Sequence, residues 1–294
     1  RLGCRGLRCD ILLFASEYDD WQERMDVVFA INDGGTELAE KILEEYACRK
    51  IVQKNIDKMG CNERLEYQFV LMMQAHIMLC GKYDRTELIA KLQSAAALSI
   101  PQGTDVEFDC NKRIVLSVQE LDILLEYYYQ LVCREAEEKN IKDADYYIGR
   151  IRKAIDYILS ADWFNTLSKA SILPKAVYYG MLSIQKKMQL NADDHDGLIY
   201  IVDELNSYGR CLSDYDNAIE VLRNVGRTYY LAELCDMMDI IVSRMKKLLS
   251  EDVCKSMKLD YIKNTADRCL EMLLYIEKLT GISRYTKNGM YMYF

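Results

Sequence analysis

The run Asp193-Asp194-His195-Asp196 looks like a metal cluster. Three carboxylates and an imidazole suit a hard or borderline divalent cation. Consecutive residues point in different directions, however, and this run falls between two predicted helices. There an Asp accepts from the open N–H groups of a helix N-terminus, so a capped, solvated turn is the expected reading. A metal-dependent all-α enzyme would also need a second acidic motif, which the sequence lacks. His76 is the other imidazole among two histidines. It falls on an apolar helical face, where a satisfied, partly buried side chain is expected rather than a general base.

Other chemistry is equally thin. The chain has 11 cysteines, an odd number, with no C-x-x-C pair. Dispersed on helical stripes, they read as small buried hydrophobes in a reducing compartment. No Gly-rich phosphate loop or nucleophile elbow occurs. No enzymatic activity and no cofactor are expected.

Tyrosine is over-supplied, at 22 residues, several of them adjacent: Tyr127-Tyr128-Tyr129, Tyr146-Tyr147, Tyr178-Tyr179 and Tyr229-Tyr230. Helical neighbours stand about 100° apart, so a doublet cannot place both rings in one core layer. One ring fills the interior while the other is left for a groove or a neighbouring element. A rigid ring with a hydroxyl suits peptide and protein recognition as well as packing.

The elements that must position these residues are helical. Two prolines and 14 glycines in 294 residues leave few breakers, and no stretch alternates with period two for long. Gly226 to Leu249 carries Leu231, Leu234, Met238, Ile241, Met245 and Leu248 on one stripe. Leu259, Ile262, Ala266, Cys269, Leu273 and Ile276 repeat that rhythm one helix later, which predicts an antiparallel hairpin.

Earlier hairpins follow the same logic. Trp21, Met25, Val28 and Phe29 share a face. Asn32 to Gly35 breaks that helix, and Thr36 is placed to cap one bearing Leu38, Ile42, Leu43 and Tyr46. Asn62 is placed to cap a helix with Leu65, Phe69, Met72, Met73, His76, Ile77 and Cys80. After the turn Gly81 to Asp84 comes a helix with Leu88, Leu92 and Ala96, stopped by Pro101. A polar loop, 101–113, leads to Ser117 and Glu120, which form a capping box for a helix with Leu121, Leu124, Leu125, Tyr128, Leu131 and Val132. Its partner carries Ile148, Ile151, Ile155, Ile158 and Leu159 and ends near Trp163. Pro174 fits the first turn of a helix with Val177, Met181, Ile184 and Met188.

The expected fold is therefore all-α: an irregular tetratricopeptide-like superhelix of about a dozen antiparallel-paired helices, at about 35–50 residues per pair, with a concave inner face. Residues 1–16 read as a junction, 17–280 as the helical-repeat domain and 281–294 as a tail. The net charge of −8 argues against nucleic-acid binding by the chain's own field. No run of apolar residues is long enough to span a membrane, and a cytoplasmic location is expected.

Several segments resemble one family. Gly81-Lys82-Tyr83 is similar to the tetratricopeptide turn. Leu2-Gly3 with Gly6, Phe14 and Glu17 resembles the junction after a DNA-binding domain. Ala95 to Pro101 resembles the end of an early repeat, and Leu173-Pro174-Lys175 with Val177-Tyr178 the start of a mid-array helix. Ala218 to Arg227, followed by Leu231 and Glu233-Leu234, resembles a helix end, Gly-Arg turn and next helix. Together they resemble the C-terminal tetratricopeptide-like region of Xre-type helix-turn-helix transcriptional regulators of Gram-positive bacteria, the Rgg and PlcR-like group. The resemblance implies a ligand-sensing and dimerisation domain. It would bind a short peptide or protein partner in its groove, act as a homodimer, and meet DNA only through a domain not contained in these residues. Tyr128, Tyr178 and Tyr229, with Gln185 and Arg227 as polar contacts, are the expected groove residues. A standalone helical-repeat adaptor for protein–protein interaction is the alternative.

Overall fold

The computed structural model describes residues 18–52, 55–108 and 115–191, together with Asp214 and Asn217. Among the described residues the chain is all-helical. The helices are α1 (Tyr18–Asn32), α2 (Thr36–Lys50), α3 (Cys61–Leu79), α4 (Arg85–Ala97), α5 (Val118–Glu137), α6 (Ile141–Ser160) and α7 (Thr166–Asn191). Short 3-10 turns, Ile56–Lys58 and Gly103–Asp105, interrupt two of the connections. The chain divides into two compact units, Arg1–Trp163 and Phe164–Phe294.

Local chemistry sets the helix boundaries. Gly34, at φ 75°, makes the left-handed step after α1 that side chains with a Cβ resist. The Gly35 carbonyl already accepts from Ala39 N at 2.8 Å, so the cap of α2 lies one residue before the expected one, and Thr36 is its first helical residue. A shift of two residues occurs in α3. The Gly60 carbonyl accepts from Arg64 N at 3.0 Å, and Asn62 lies inside the first turn. Ser117 and Glu120 form the reciprocal capping box that the sequence predicts, and Asp84, read only as part of a turn, caps α4 by accepting from Thr86 N at 2.8 Å. Lys139, at φ 58°, turns the chain between α5 and α6, and Asn140 caps α6. That helix ends at Ser160, short of Trp163.

Pro174 corrects the sequence reading. It lies in the interior of α7, which begins at Thr166, and not in a first turn. It cannot donate to the Ala170 carbonyl one turn earlier. The neighbours Ile172, Leu173, Ala176, Val177 and Met181 are all buried, and burial of that stripe offsets the missing bond.

In the first unit each helix from α1 to α6 packs on the next in sequence, and α1 also meets α3. Val27, Ala39, Leu43, Tyr46, Phe69, Val70, Met73 and Ile77 form the core shared by α1, α2 and α3. Leu88, Leu92, Leu121, Leu124, Leu125, Leu131, Ile151, Ile155 and Ile158 are buried across α4, α5 and α6. Each fully buried Leu or Ile contributes about 1.5–3 kcal/mol of transfer free energy. Two expected core positions are instead exposed: Phe29 at 51% and Leu38 at 56%. Val27, two residues and about 200° from Phe29 on the wheel, fills the interior of α1, and Ala39 allows close approach in α2.

Candidate functional site: a cleft on α2, α3 and α4

A cleft of about 480 Å³ opens among α2, α3 and α4 in the first unit. Its floor is apolar, built from Leu43 and Ala47 of α2 and Ile77 and Met78 of α3. Glu40 and Glu44, one turn apart on α2, and Glu87 of α4 bring exposed carboxylates to its edge. Lys82 and Lys91 complete the rim, and Lys91 Nζ donates to Gln74 Oε1 at 2.9 Å. An apolar floor beneath exposed charges of both signs can take one apolar side chain while its polar backbone and neighbours stay at the rim.

Part-buried and buried polar links hold the helices that shape this cleft. Arg24 of α1 donates through Nε to the Tyr46 hydroxyl at 2.8 Å and through Nη2 to Glu66 Oε2 at 2.6 Å. The Tyr46 hydroxyl donates to the same carboxylate oxygen, and the guanidinium lies 4.9 Å from the Phe69 ring centroid. Burial, followed by the bond to Glu66, raises the Tyr46 phenol well above its ordinary value. Burial pulls the Arg24 guanidinium down, but Glu66 and Tyr46 outweigh it and its pKa is raised.

One helix further on, Gln68 of α3 donates to the Ala95 carbonyl at 2.8 Å and to Ser99 Oγ at 2.7 Å. Ser99 Oγ donates to Glu120 Oε1 at 2.6 Å, while Glu120 Oε2 accepts from Ser117 N at 2.8 Å. The capping carboxylate of α5 thus also ties α5 to the end of α4 and, through Ser99, to α3. Nothing in the local spelling Ser117-x-x-Glu120 announces that second role. Arg85 pairs with Glu137 and donates to Gln130 Oε1 at 3.3 Å, linking α4 to α5 again. Tyr83, the aromatic of the tetratricopeptide-like turn, approaches the same oxygen at 3.5 Å.

The expected groove residues fall in different settings. Tyr128 is a core residue, 2% exposed. Its hydroxyl donates to the Thr104 carbonyl at 2.6 Å and accepts from Arg150 Nη2 at 2.9 Å. Burial pushes its phenol up to about 12, against the opposing pull of Arg150. In this arrangement its ring presents no surface to a ligand. Tyr178 lies on α7, half-buried, its ring 6.1 Å from that of Tyr179. Gln185 also lies on α7. Arg227 and Tyr229 fall outside the described residues, as do Asp193 to Asp196, both stripes between Leu231 and Ile276, the junction 1–16 and the tail 281–294.

Two of the tyrosine runs divide as helical geometry requires, whereas Tyr178 and Tyr179 are both half-buried. Tyr128 is buried beside half-buried Tyr127, and Tyr147 is half-buried beside exposed Tyr146. His76 is half-buried on α3. The cysteine expectation needs correction: Cys133 is buried, but Cys48, Cys61 and Cys80 are exposed. They stand at helix ends or outer faces, where a small thiol need not be covered. Among the described residues no group of three or more His, Cys, Asp or Glu could hold a metal ion, and no helix is long and apolar enough to cross a membrane.

Sequence reading missed the loop after Pro101. It reads as polar, yet Thr104 and Val106 are buried. Tyr128 and Arg150 bind their carbonyls, so the loop is pinned from α5 and α6. The chain matches no protein-family model, no curated protein and no solved structure.

Proposed function

We propose that this chain is the ligand-sensing and dimerisation part of a transcriptional regulator, built as an irregular tetratricopeptide-like superhelix, and that it binds a short peptide or protein segment. The single observation that carries the binding role is the α2–α3–α4 cleft, an apolar floor beneath a charged rim, formed where helices pack serially along the chain. Serial packing leaves one surface of each hairpin uncommitted, which is the physical basis of recognition in helical arrays. The regulatory assignment rests on the residue-level resemblance, above all Ala218 to Arg227. A ligand acts in such a protein only by binding one arrangement of the helices better than another. Tyr178, Gln185, Arg227 and Tyr229 remain proposed contacts in the second unit.

The test is direct. The purified chain is denatured, and peptides released from it are identified by mass spectrometry, in parallel with an Ala47→Phe variant that fills the cleft floor. A defined peptide from the parent and none from the folded variant supports the reading. Equal recovery from both, or none from either, removes the cleft as the site. Independently, a gene in which no helix-turn-helix domain is encoded with this segment would sink the regulatory assignment.

A further inference from the structure

Arg150 of α6 is a buried cation without a buried anion. It is 8% exposed, and its Nη2 donates to the Val106 carbonyl and to the Tyr128 hydroxyl. Its guanidinium lies 5.3 Å from the Phe108 ring centroid and 5.2 Å from that of Tyr128. Both hydrogen-bond partners are neutral, and no carboxylate pairs with it among the described residues. Arginine carries five N–H donors. Two bonds from Nη2 leave the separate donors of Nε and Nη1.

A pocket of about 300 Å³ lies against this side chain, lined by Glu107, Phe108, Arg150, Lys153 and Asp156. Lys153 follows Arg150 by three positions on α6, so two cations face one pocket from one side of a helix. Lys153 is exposed and makes no ion pair among the described residues. Two carboxylates also line the pocket, but both are exposed, and Asp156 is already engaged by Arg152 at 3.6 Å. Exposed charge is screened within about 10 Å at ordinary salt, whereas the buried guanidinium is not. A guanidinium in a low-dielectric wall, with donors beyond those of Nη2 and a second cation one turn on, is an electrostatic arrangement that an anion completes.

We propose that this pocket binds a small oxyanion-bearing ligand, a carboxylate or a phosphate, with Arg150 as the buried anchor and Lys153 as the rim contact. Bound there, it would also brace the Thr104–Phe108 loop, because Arg150 and Tyr128 hold that loop's carbonyls. The site is independent of the peptide cleft.

The test uses the full chain with inorganic phosphate and, separately, citrate, at ionic strength held constant with chloride. A ligand that binds only the folded state raises the thermal midpoint in a saturable way. One of the two anions is expected to do so, and which one does identifies the oxyanion. Lys153→Glu alters an exposed residue and should fold as the parent does, but bind about tenfold more weakly or worse. Lys142→Glu, an exposed change in the first turn of the same helix, should bind as the parent does. Arg150→Lys should abolish binding if it folds. No saturable shift with either anion overturns the proposal, and so does an equal shift in the parent and Lys153→Glu. Parallel losses in Lys153→Glu and Lys142→Glu would overturn it too, by reducing the effect to net charge.

Discussion

Arg24 Nη2 and Glu66 Oε2 meet at 2.6 Å between α1 and α3, helices separated in sequence by all of α2. Tyr46 of α2 donates to the same oxygen, so one carboxylate joins three helices. Both partners of the ion pair are 21% exposed, which places the pair between the weak surface regime and the costly buried one. Hydrogen bonds to a charged group contribute about 1.5–3 kcal/mol in such settings. Glu66→Gln should therefore lower stability to urea by about 1–2 kcal/mol without loss of helix content. A double-mutant cycle with Tyr46→Phe should give a coupling of about 0.5–3 kcal/mol. Additive effects would show that the shared oxygen does not couple the helices.

Tyrosine ionisation gives the pH dependence. Tyr128 has its phenol pushed up to about 12, and Tyr46 is raised too. In the unfolded chain both release their protons near pH 10. Above that pH the unfolded state binds fewer protons than the native one, so stability falls as pH rises. The contribution is fully present below about pH 10 and is lost as pH climbs to about 12 and beyond. Thermal midpoints should be insensitive to these two groups at neutral pH and decline through the alkaline range. Absorbance titration of the folded chain should show late-ionising phenols, with the component near 12 absent in Tyr128→Phe. An unchanged late component in that variant would contradict the assignment.

Glu120 carries two duties, and substitution can separate them. Ser117→Ala removes only the side-chain acceptor for Glu120 N and should cost about 1 kcal/mol, the usual value of an N-cap. Glu120→Ala removes the reciprocal cap and also leaves Ser99 and the Ser117 amide without their acceptor. It should cost more, about 2–3 kcal/mol, because buried donors are left unsatisfied. Equal losses in the two variants, measured by denaturant unfolding, would show that the link from Ser99 to α5 carries no energy.

That contrast also marks how much of the molecule the sequence discloses. Ser117 and Glu120 are legible as a cap because capping is local, four residues long and set by backbone geometry. The link from Glu120 through Ser99 to Gln68 spans more than fifty positions, and no local pattern encodes it. The helices themselves follow from composition and spacing, and the stripe from Leu121 to Val132 is buried as written. Caps moved back by one residue to Gly35 and by two to Gly60 because glycine carbonyls open a helix without help from a side chain. Tyr128 was the ambiguous case: its position on the apolar stripe favoured the core, and its hydroxyl favoured a groove. The core won because Thr104 and Arg150 satisfy that hydroxyl inside. The apolar floor of the cleft was visible only as core positions, since Leu43 and Ile77 belong to the apolar stripes of α2 and α3 in the sequence.

The cleft makes its own prediction through Glu44 and Glu87. Both are exposed and sit on different helices at its edge, and Glu87 lies in the first turn of α4, where a lysine opposes the helix dipole, so the double reversal should cost only about 1 kcal/mol of stability. If a peptide docks there, its affinity should respond to the rim. Glu44→Lys with Glu87→Lys removes two carboxylates and adds two ammonium groups beside Lys82 and Lys91. A peptide bearing a basic residue should then bind at least about tenfold more weakly, a loss of about 1.4 kcal/mol. An acidic peptide should gain. Rim charges act mainly on the association rate, so the change should appear in the on-rate and shrink with added salt. Affinity and salt dependence unaltered in the double variant, for a peptide that Ala47→Phe excludes, would mean that the apolar floor alone holds the ligand and the carboxylates take no part.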